Sequence, residues 1–237
     1  MKKKLALIVS CEHAVNLIPP TYLSLFIPFK NLLESHRGID FGALEVAIYF
    51  KEVFSCDLIL APTSRLLIDY NRSLTNRCFS EITKKLAVQK KQEIITHYYL
   101  PYRQKVIDQI EKHLAHGSQV LHCSIHSFTP VLNKIVRTAE IGFLYDPNRP
   151  LEKKLAKEWQ LELKKQTPKH RIRVNYPYKG INDGFTTSLR KKYAPEEYLG
   201  IEIEFNQALT RNERSLTHLK HSLSMSLLNL IALCVDY

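Results

Sequence analysis

Long apolar runs are missing from this 237-residue sequence, since none reaches the ~18 to 20 residues that a membrane-spanning helix needs. Residues 5–9, which follow three lysines, are too short for the apolar part of a secretory signal. We therefore expect a cytoplasmic protein with no membrane partner. Seven glycines and eleven prolines are too few for a collagen-like or linker-rich chain. Without repeats, low-complexity tracts or shifts in composition, residues 1–237 are expected to form one domain.

Cysteine is also sparse, and its five positions (11, 56, 78, 123 and 234) show no CxxC pair and no regular spacing. An odd number of irregularly placed cysteines argues against a disulfide framework and against a structural zinc knuckle. Free thiols in a reducing compartment fit the pattern better. A content of 45% apolar and 24% charged residues is that of an ordinary globular protein.

Acidic residues are outnumbered, since 34 lysines and arginines face 23 aspartates and glutamates, for a net charge of +11. Such a field attracts anions, whether nucleic acid, an anionic membrane surface or a small carboxylate substrate. Many of the lysines occur in pairs. Solvated helix faces are the simplest interpretation of those pairs.

Six apolar runs predict strands, and they lie at residues 5–10, 57–61, 118–125, 139–144, 171–175 and 199–205. Helical patterns lie between and after them, at residues 41–54, 81–116, 151–166 and 216–235. Pro101 is expected to break or kink the longest of these. The alternation predicts a three-layer α/β sandwich with a mostly parallel central sheet flanked by helices. Ligands of such folds bind at the carboxyl ends of the strands.

Polar clusters follow several of the predicted strands. His13 comes directly after the first strand, as a metal ligand or as a residue that caps a turn. Asp40 precedes a helical pattern, so its simplest interpretation is a helix N-cap. Arg65, Asn71 and Arg72 follow the second strand and suit a carboxylate clamp, because guanidinium binds carboxylate through two hydrogen bonds. The alternative there is a surface pair between Asp69 and Arg72.

Two further clusters lie at the ends of later strands. His126 stands at the exit of its strand and is a candidate for the crevice, whereas His122 lies inside the strand and is expected to be a core histidine. Glu202 and Glu204 share one face of an otherwise apolar strand. Apolar surroundings raise the pKa of a carboxyl group toward the range useful for acid–base catalysis.

Taken together, these motifs resemble the N-formylglutamate amidohydrolase family in order and spacing, from about residue 5 to residue 235. The motifs that carry the resemblance are SCEHAVNLIP, HRGIDFGA, SRLLIDYNRS, IHSFTP, RTAEIGFLYDP and GIEIEFNQAL. The resemblance implies an α/β fold related to zinc carboxypeptidases and aspartoacylases. It also implies a metal-dependent hydrolysis of an amide other than a peptide bond, such as that of N-formyl-glutamate.

The resemblance assigns roles residue by residue. His13 and His126 would bind zinc, the Asn71–Arg72 pair would bind the substrate carboxylate, and Arg65 would steady the oxyanion. The late glutamate that activates water would be Glu204, with Glu202 as the less favoured choice. Lys179 and Arg137 are further candidate substrate contacts. A surface turn is an equally good interpretation of the loop that carries Lys179.

One position departs from the carboxypeptidase-like pattern, because Asn16 stands three residues after His13 where a glutamate ligand is expected. A neutral amide is a weaker ligand than a carboxylate. We therefore expect Asp40 to be the third metal ligand, with Glu12 or Asn16 as alternatives.

Two other functions compete with the amidohydrolase. The first is a catalytically inactive member of the family, which would bind only a ligand or partner. A nucleic-acid-binding protein would use the +11 charge together with Tyr98, Tyr99, Tyr102 and Arg103, which could stack on bases. Helical spacing favours a packing role for those tyrosines, so nucleic acid is not the expected partner and a small anionic substrate is.

Overall fold

The central element of a computed structural model, which describes residues 4–75 and 77–235, is a six-stranded sheet. Its strands are β1 (Leu5–Cys11), β2 (Asp57–Leu60), β3 (Gln119–Phe128), β6 (Ile141–Leu144), β7 (Ile172–Val174) and β8 (Tyr198–Asn206).

 The strands lie in the order β2-β1-β3-β8-β6-β7, in which β2, β1, β3 and β8 run in one direction and β6 and β7 run in the other. Four of the five neighbouring pairs are thus parallel and the β6–β8 pair is antiparallel, which confirms the predicted mostly parallel sheet.

All six predicted strands are present, with ends that move by up to three residues. A separate hairpin, β4 (Val131–Leu132) with β5 (Ile135–Val136), follows β3 and was not predicted. Its two turn residues, Asn133 and Lys134, both have positive φ, the backbone that two-residue hairpin turns require.

Helices cover both faces of the sheet. They are α1 (Pro20–Phe26), α2 (Lys30–Leu33), α3 (Ala43–Phe54), α4 (Val88–Ile94), α5 (Leu100–Ala115), α6 (Pro150–Gln166), α7 (Phe185–Lys192) and α8 (Glu213–Val235). The predicted helices at residues 41–54, 151–166 and 216–235 correspond to α3, α6 and α8. Within the described ranges, no helix combines the length and the apolar composition that crossing a membrane requires.

The prediction of one helix over residues 81–116 was wrong at its start. The Ser80 hydroxyl accepts the backbone N–H groups of Ile82 and Thr83 (3.2 and 3.3 Å), which fixes a short 3₁₀ turn there. Regular helix begins only at α4. The backbone stays helical between α4 and α5 as a π-helical segment at Ile95–Tyr99, and Pro101 follows this segment at the start of α5.

One hydrophobic core lies between the sheet and helices α3, α6 and α8. Trp159 is fully buried in it, with its ring centroid 4.7 Å from that of Phe143 and 6.4 Å from that of Phe50. The second core lies on the opposite face, beneath α5 and α7. The two cores complete the predicted three-layer sandwich.

Alternation along the central strands separates apolar from polar side chains. On β3, Leu121, Cys123 and Ile125 belong to the first core, whereas His122 and His126 lie at the alternate positions. The same alternation places the polar residues of β1 and β8 on the face that α5 and α7 cover. They are Ser10 with the adjoining Glu12 at the end of β1, and Glu202 and Glu204 on β8; like Ser124 of β3, all are buried. A buried polar layer therefore runs across the parallel strands toward their carboxyl ends.

Candidate active site and metal centre

Three potential metal ligands meet at the carboxyl ends of β1 and β3. The Nδ1 atom of His13 lies 3.2 Å from Asp40 Oδ2 and 3.2 Å from His126 Nδ1, and His126 Nδ1 lies 3.1 Å from Asp40 Oδ2. All three side chains are buried. Ligands ~2.0 to 2.1 Å from a tetrahedral zinc stand about 3.3 Å apart, so these spacings fit such an ion. The group could hold a metal with one position left for another ligand.

Hydrogen bonds of the backbone position Asp40 beside the two histidines. Its amide donates to the His13 carbonyl (3.1 Å), and the Ser127 amide donates to its Oδ2 atom (3.2 Å). The N-cap of α3 is Gly42, which has a φ of 80° and makes no side-chain cap. The interpretation of Asp40 as a helix N-cap was therefore wrong, because its carboxylate turns toward the two histidines.

A second carboxylate stands behind each histidine. Glu12 Oε2 lies 3.1 Å from His126 Nε2, and Asp69 Oδ1 lies 2.9 Å from His13 Nε2. Such a carboxylate keeps the proton on Nε2 and leaves Nδ1 free to bind a metal. Glu12 is thus placed on the far side of His126 from the ligand group. Asn16, the other alternative ligand, is half-buried and does not line the site cavity.

Three hydroxyl groups hold the Glu12 carboxylate in place. They belong to Ser10 (2.6 Å), Tyr102 (2.9 Å) and Ser124 (2.6 Å). Burial alone would disfavour the charge, but His126, His122 and the Ser10 hydroxyl hold the pKa of Glu12 well below its ordinary value. A charged Glu12 is a fixed acceptor for His126. This network was not predicted, although polar residues at alternate positions of a buried strand were its signal in the sequence.

Arg65 connects two of the carboxylates. Its Nη2 atom lies 2.8 Å from Asp69 Oδ2, and its Nη1 atom lies 3.4 Å from Asp40 Oδ1. The proposed surface pair of Asp69 with Arg72 was therefore wrong, since Asp69 is buried and bonds to Arg65 and His13. Burial opposes the charge of Asp40, yet the facing His13, His126 and Arg65 hold its pKa well below the ordinary value.

Glu204 lies beside His126, because the two residues are in register on β8 and β3. It is buried, and its Oε2 atom has no hydrogen-bond partner among the described residues. Burial raises the pKa of Glu204 to about 8, and the nearby charges of Asp40 and Glu202 also raise it. Glu202 differs, because its Oε1 atom accepts the hydroxyl of Thr186. Of the two glutamates, it is Glu204 that has a buried carboxylate oxygen with no partner in the described ranges.

Most of the predicted site residues line one cavity of about 110 Å³. Besides the ligand group, they are Arg65, Asn71, Arg72, Lys179, Glu202 and Glu204. Asn71 Oδ1 accepts the Phe185 amide (2.7 Å), and Arg72 Nη1 donates to the Asp183 carbonyl. These bonds join the clamp to the loop before α7. Arg137 lies instead in a neighbouring cavity.

Other candidates take part in packing. His122 is fully buried and lies 2.7 Å from both Ser10 Oγ and Tyr198 OH, which confirms it as a core histidine. Tyr99 and Tyr102 are buried, and the Arg103 guanidinium stacks 3.9 Å over the Phe185 ring. These rings are not exposed for stacking on bases.

The fold and the cavity define an α/β enzyme with a candidate metal centre. The family model of N-formylglutamate amidohydrolase matches residues 5–211, and the chain belongs to this family. It is therefore an amidohydrolase.

Two solved structures resemble the whole chain. Gene product Atu2144 from Agrobacterium tumefaciens is 29% identical, with a TM-score of 0.79, and the match covers 96% of this chain and 92% of that one. N-formylglutamate amidohydrolase from Ralstonia eutropha JMP134 is 19% identical, with a TM-score of 0.75 and a coverage of 96% and 93%. The second likeness shows a shared fold. No curated protein has a significant similarity to the chain.

Proposed function

We propose that this chain is a zinc-dependent amidohydrolase that cleaves the amide bond of a small anionic N-acyl amino acid, such as N-formyl-L-glutamate. The observation that carries the proposal is the ligand group of His13, Asp40 and His126, with its atoms 3.1 to 3.2 Å apart, in one cavity with the unpartnered carboxylate of Glu204. Family membership supplies the reaction class.

Zinc is the favoured metal because two imidazoles and one carboxylate with an open position are typical ligands of catalytic zinc. When bound, zinc lowers the pKa of a coordinated water toward ~7 and polarises the scissile carbonyl. His13 and His126 would bind through Nδ1, since their Nε2 atoms face Asp69 and Glu12.

Glu204 is the proposed base and acid. Its free Oε2 takes a proton from the attacking water, whose oxygen bonds to the acyl carbon, and gives a proton to the leaving nitrogen as the C–N bond breaks. The products are a carboxylic acid and an amino acid. Arg65 stabilises the developing oxyanion, and its contacts with Asp40 and Asp69 orient it before substrate binds.

Substrate binding is assigned to the clamp of Asn71 and Arg72, with Lys179 as an additional cation. Arg72 offers guanidinium N–H groups that suit a carboxylate. The excess of basic residues favours an anionic substrate over nucleic acid as the partner. Four unpaired cysteines in the described ranges support a reducing, cytoplasmic location.

The test is the metal content and activity of protein purified without chelator. We expect about one zinc per chain and release of formate from N-formyl-L-glutamate. His13→Ala and His126→Ala should lose both. His116→Ala, which changes an exposed histidine at the end of α5, is the matched control and should keep both. A protein without metal, or metal retained by both site variants, would contradict the proposal.

A further inference from the structure

A second, larger cavity adjoins the proposed reaction site. Its volume is about 630 Å³, and it shares Asp40, Arg65, Ser127 and Tyr178 with the smaller cavity. Ligand sites of drug size span ~300 to 1,000 Å³. A formyl group consists of one carbon and one oxygen, so it leaves such a space almost wholly unused.

Cationic side chains predominate in this larger cavity. Arg37 pairs with Glu81 at 2.7 Å, and Arg65 pairs with Asp40 and Asp69. Three others, Arg77, Lys84 and Arg137, also line it, and no carboxylate of the described ranges forms an ion pair with them. The cavity therefore has positive charge available for an anionic ligand.

Arg137 is held by two aromatic rings and one hydroxyl group. Its guanidinium carbon lies 5.6 Å from the ring centroid of Phe128 and 5.1 Å from that of Tyr178, and its Nη2 donates to Tyr178 OH (3.1 Å). Its Nη1 is buried and has no acceptor among the described residues. Buried donors are almost always paired in folded proteins. A ligand carboxylate in the cavity would supply the acceptor.

Apolar side chains form another part of the wall. Leu66, Phe79, Phe128 and Leu132 line the cavity beside the charged residues. Such a surface suits methylene groups, whose transfer out of water is favourable. The wall thus fits a short carbon chain with a charged end.

We propose that this cavity binds the acyl part of the substrate, and that this acyl chain is several carbons long and ends in a carboxylate bound by Arg137. The inference rests on the proposed function, which places the amino-acid carboxylate at Asn71 and Arg72 in the smaller cavity. The acyl group then extends past Asp40 and Arg65 into the larger one. Water adds across the C–N bond, and the products are a dicarboxylic acid and a free amino acid.

Two matched ligands isolate the terminal charge, because N-succinyl-L-glutamate and N-butanoyl-L-glutamate have acyl chains of equal length. Their affinities are measured calorimetrically with zinc-loaded Glu204→Gln protein, in which the proposed base is absent and the ligands survive. We expect the succinyl compound to bind about 10- to 100-fold more tightly, the range of a charge-assisted hydrogen bond. Equal affinities, or failure of both to bind, would overturn the inference.

Arg137→Met, added to the same protein, should reduce the affinity ratio to about one. Lys84→Met changes an exposed residue that carries little folding risk, and it should lower the ratio by a smaller factor. Arg214→Met, an exposed residue at the start of α8 that does not line the cavity, is the matched control and should keep the ratio. A ratio unchanged in Arg137→Met would contradict the assignment, whatever the result for Lys84→Met.

Hydrolysis by the parent protein separates the two proposals. If the parent cleaves N-formyl-L-glutamate but Glu204→Gln shows no succinyl preference, the acyl assignment is wrong and the proposed function stands. If the succinyl preference depends on Arg137 but the parent cleaves none of the three compounds, the proposed function fails and the binding assignment stands.

Discussion

Replacement of Glu12 by glutamine tests how the metal centre is held. The substitution preserves size but exchanges one carboxylate oxygen for an NH2 group. In the structure each oxygen faces two donors: Oε1 faces the hydroxyls of Ser10 and Tyr102, and Oε2 faces Ser124 and His126. Hydroxyl groups can turn and become acceptors. The Nε2–H group of His126 cannot become an acceptor unless its proton moves from Nε2 to Nδ1.

Either orientation of the amide therefore weakens metal binding. If the NH2 faces His126, the proton moves to Nδ1 and blocks the ligand atom. If the carbonyl oxygen faces His126, the ring keeps its orientation but loses the charged acceptor. Loss of such a carboxylate typically weakens metal affinity ~10- to 100-fold, or about 1.4 to 2.7 kcal/mol. The altered hydrogen bonds should also lower the free energy of unfolding of the metal-free protein by about 1 to 3 kcal/mol.

The assay is zinc competition against a chromophoric chelator, together with urea unfolding of the metal-free protein. Glu152→Gln is the matched control, since Glu152 is equally buried but pairs with Arg190 (2.9 Å) away from the ligand group. It should lose about 3 to 5 kcal/mol of stability and keep its zinc affinity. Parent-like zinc affinity in Glu12→Gln would refute the reasoning.

Three further predictions concern turnover, substrate binding and the core. Glu204→Gln should lower kcat at least ~10²-fold with little change in KM, and Glu202→Gln should lower it less; equal losses in steady-state formate release would contradict the choice of base. Arg72→Met should raise KM about 10- to 100-fold with a smaller effect on kcat, and the reverse pattern in the same assay would argue against a substrate clamp. Trp159→Ala should reduce the free energy of unfolding by about 3 to 5 kcal/mol, as followed by circular dichroism in urea, and a loss below 1 kcal/mol would show that the site collapses around the change.

The sheet was predictable because its strands are continuous apolar runs between polar loops. Helix α7 was missed because it is short and its apolar pattern is brief. The antiparallel β6–β8 pairing could not be predicted from the sequence either, because strand direction depends on contacts between segments far apart in the chain. Local patterns report burial and periodicity, whereas pairing order is a property of the whole fold.

The candidate site was predictable in part, and for similar reasons. The motifs brought His13, Asp40 and His126 to attention, and the structure places them together. Asp69 was considered as part of a surface pair because Arg72 is only three residues away, whereas its partner His13 is 56 residues away in the chain. Glu12 was an alternative ligand because the sequence does not show on which side of His126 it lies. That side is set by the pairing of β1 with β3.

The register of β3 and β8 has a consequence for behaviour on heating. His126 and Glu204 stand on adjacent central strands, whereas Asn71, Arg72 and Lys179 stand on connecting segments. Central strands open only with the whole domain, while loops open at lower free energy. Rising temperature should therefore erode substrate affinity first and leave the spacing of the reacting groups intact until the sheet itself melts.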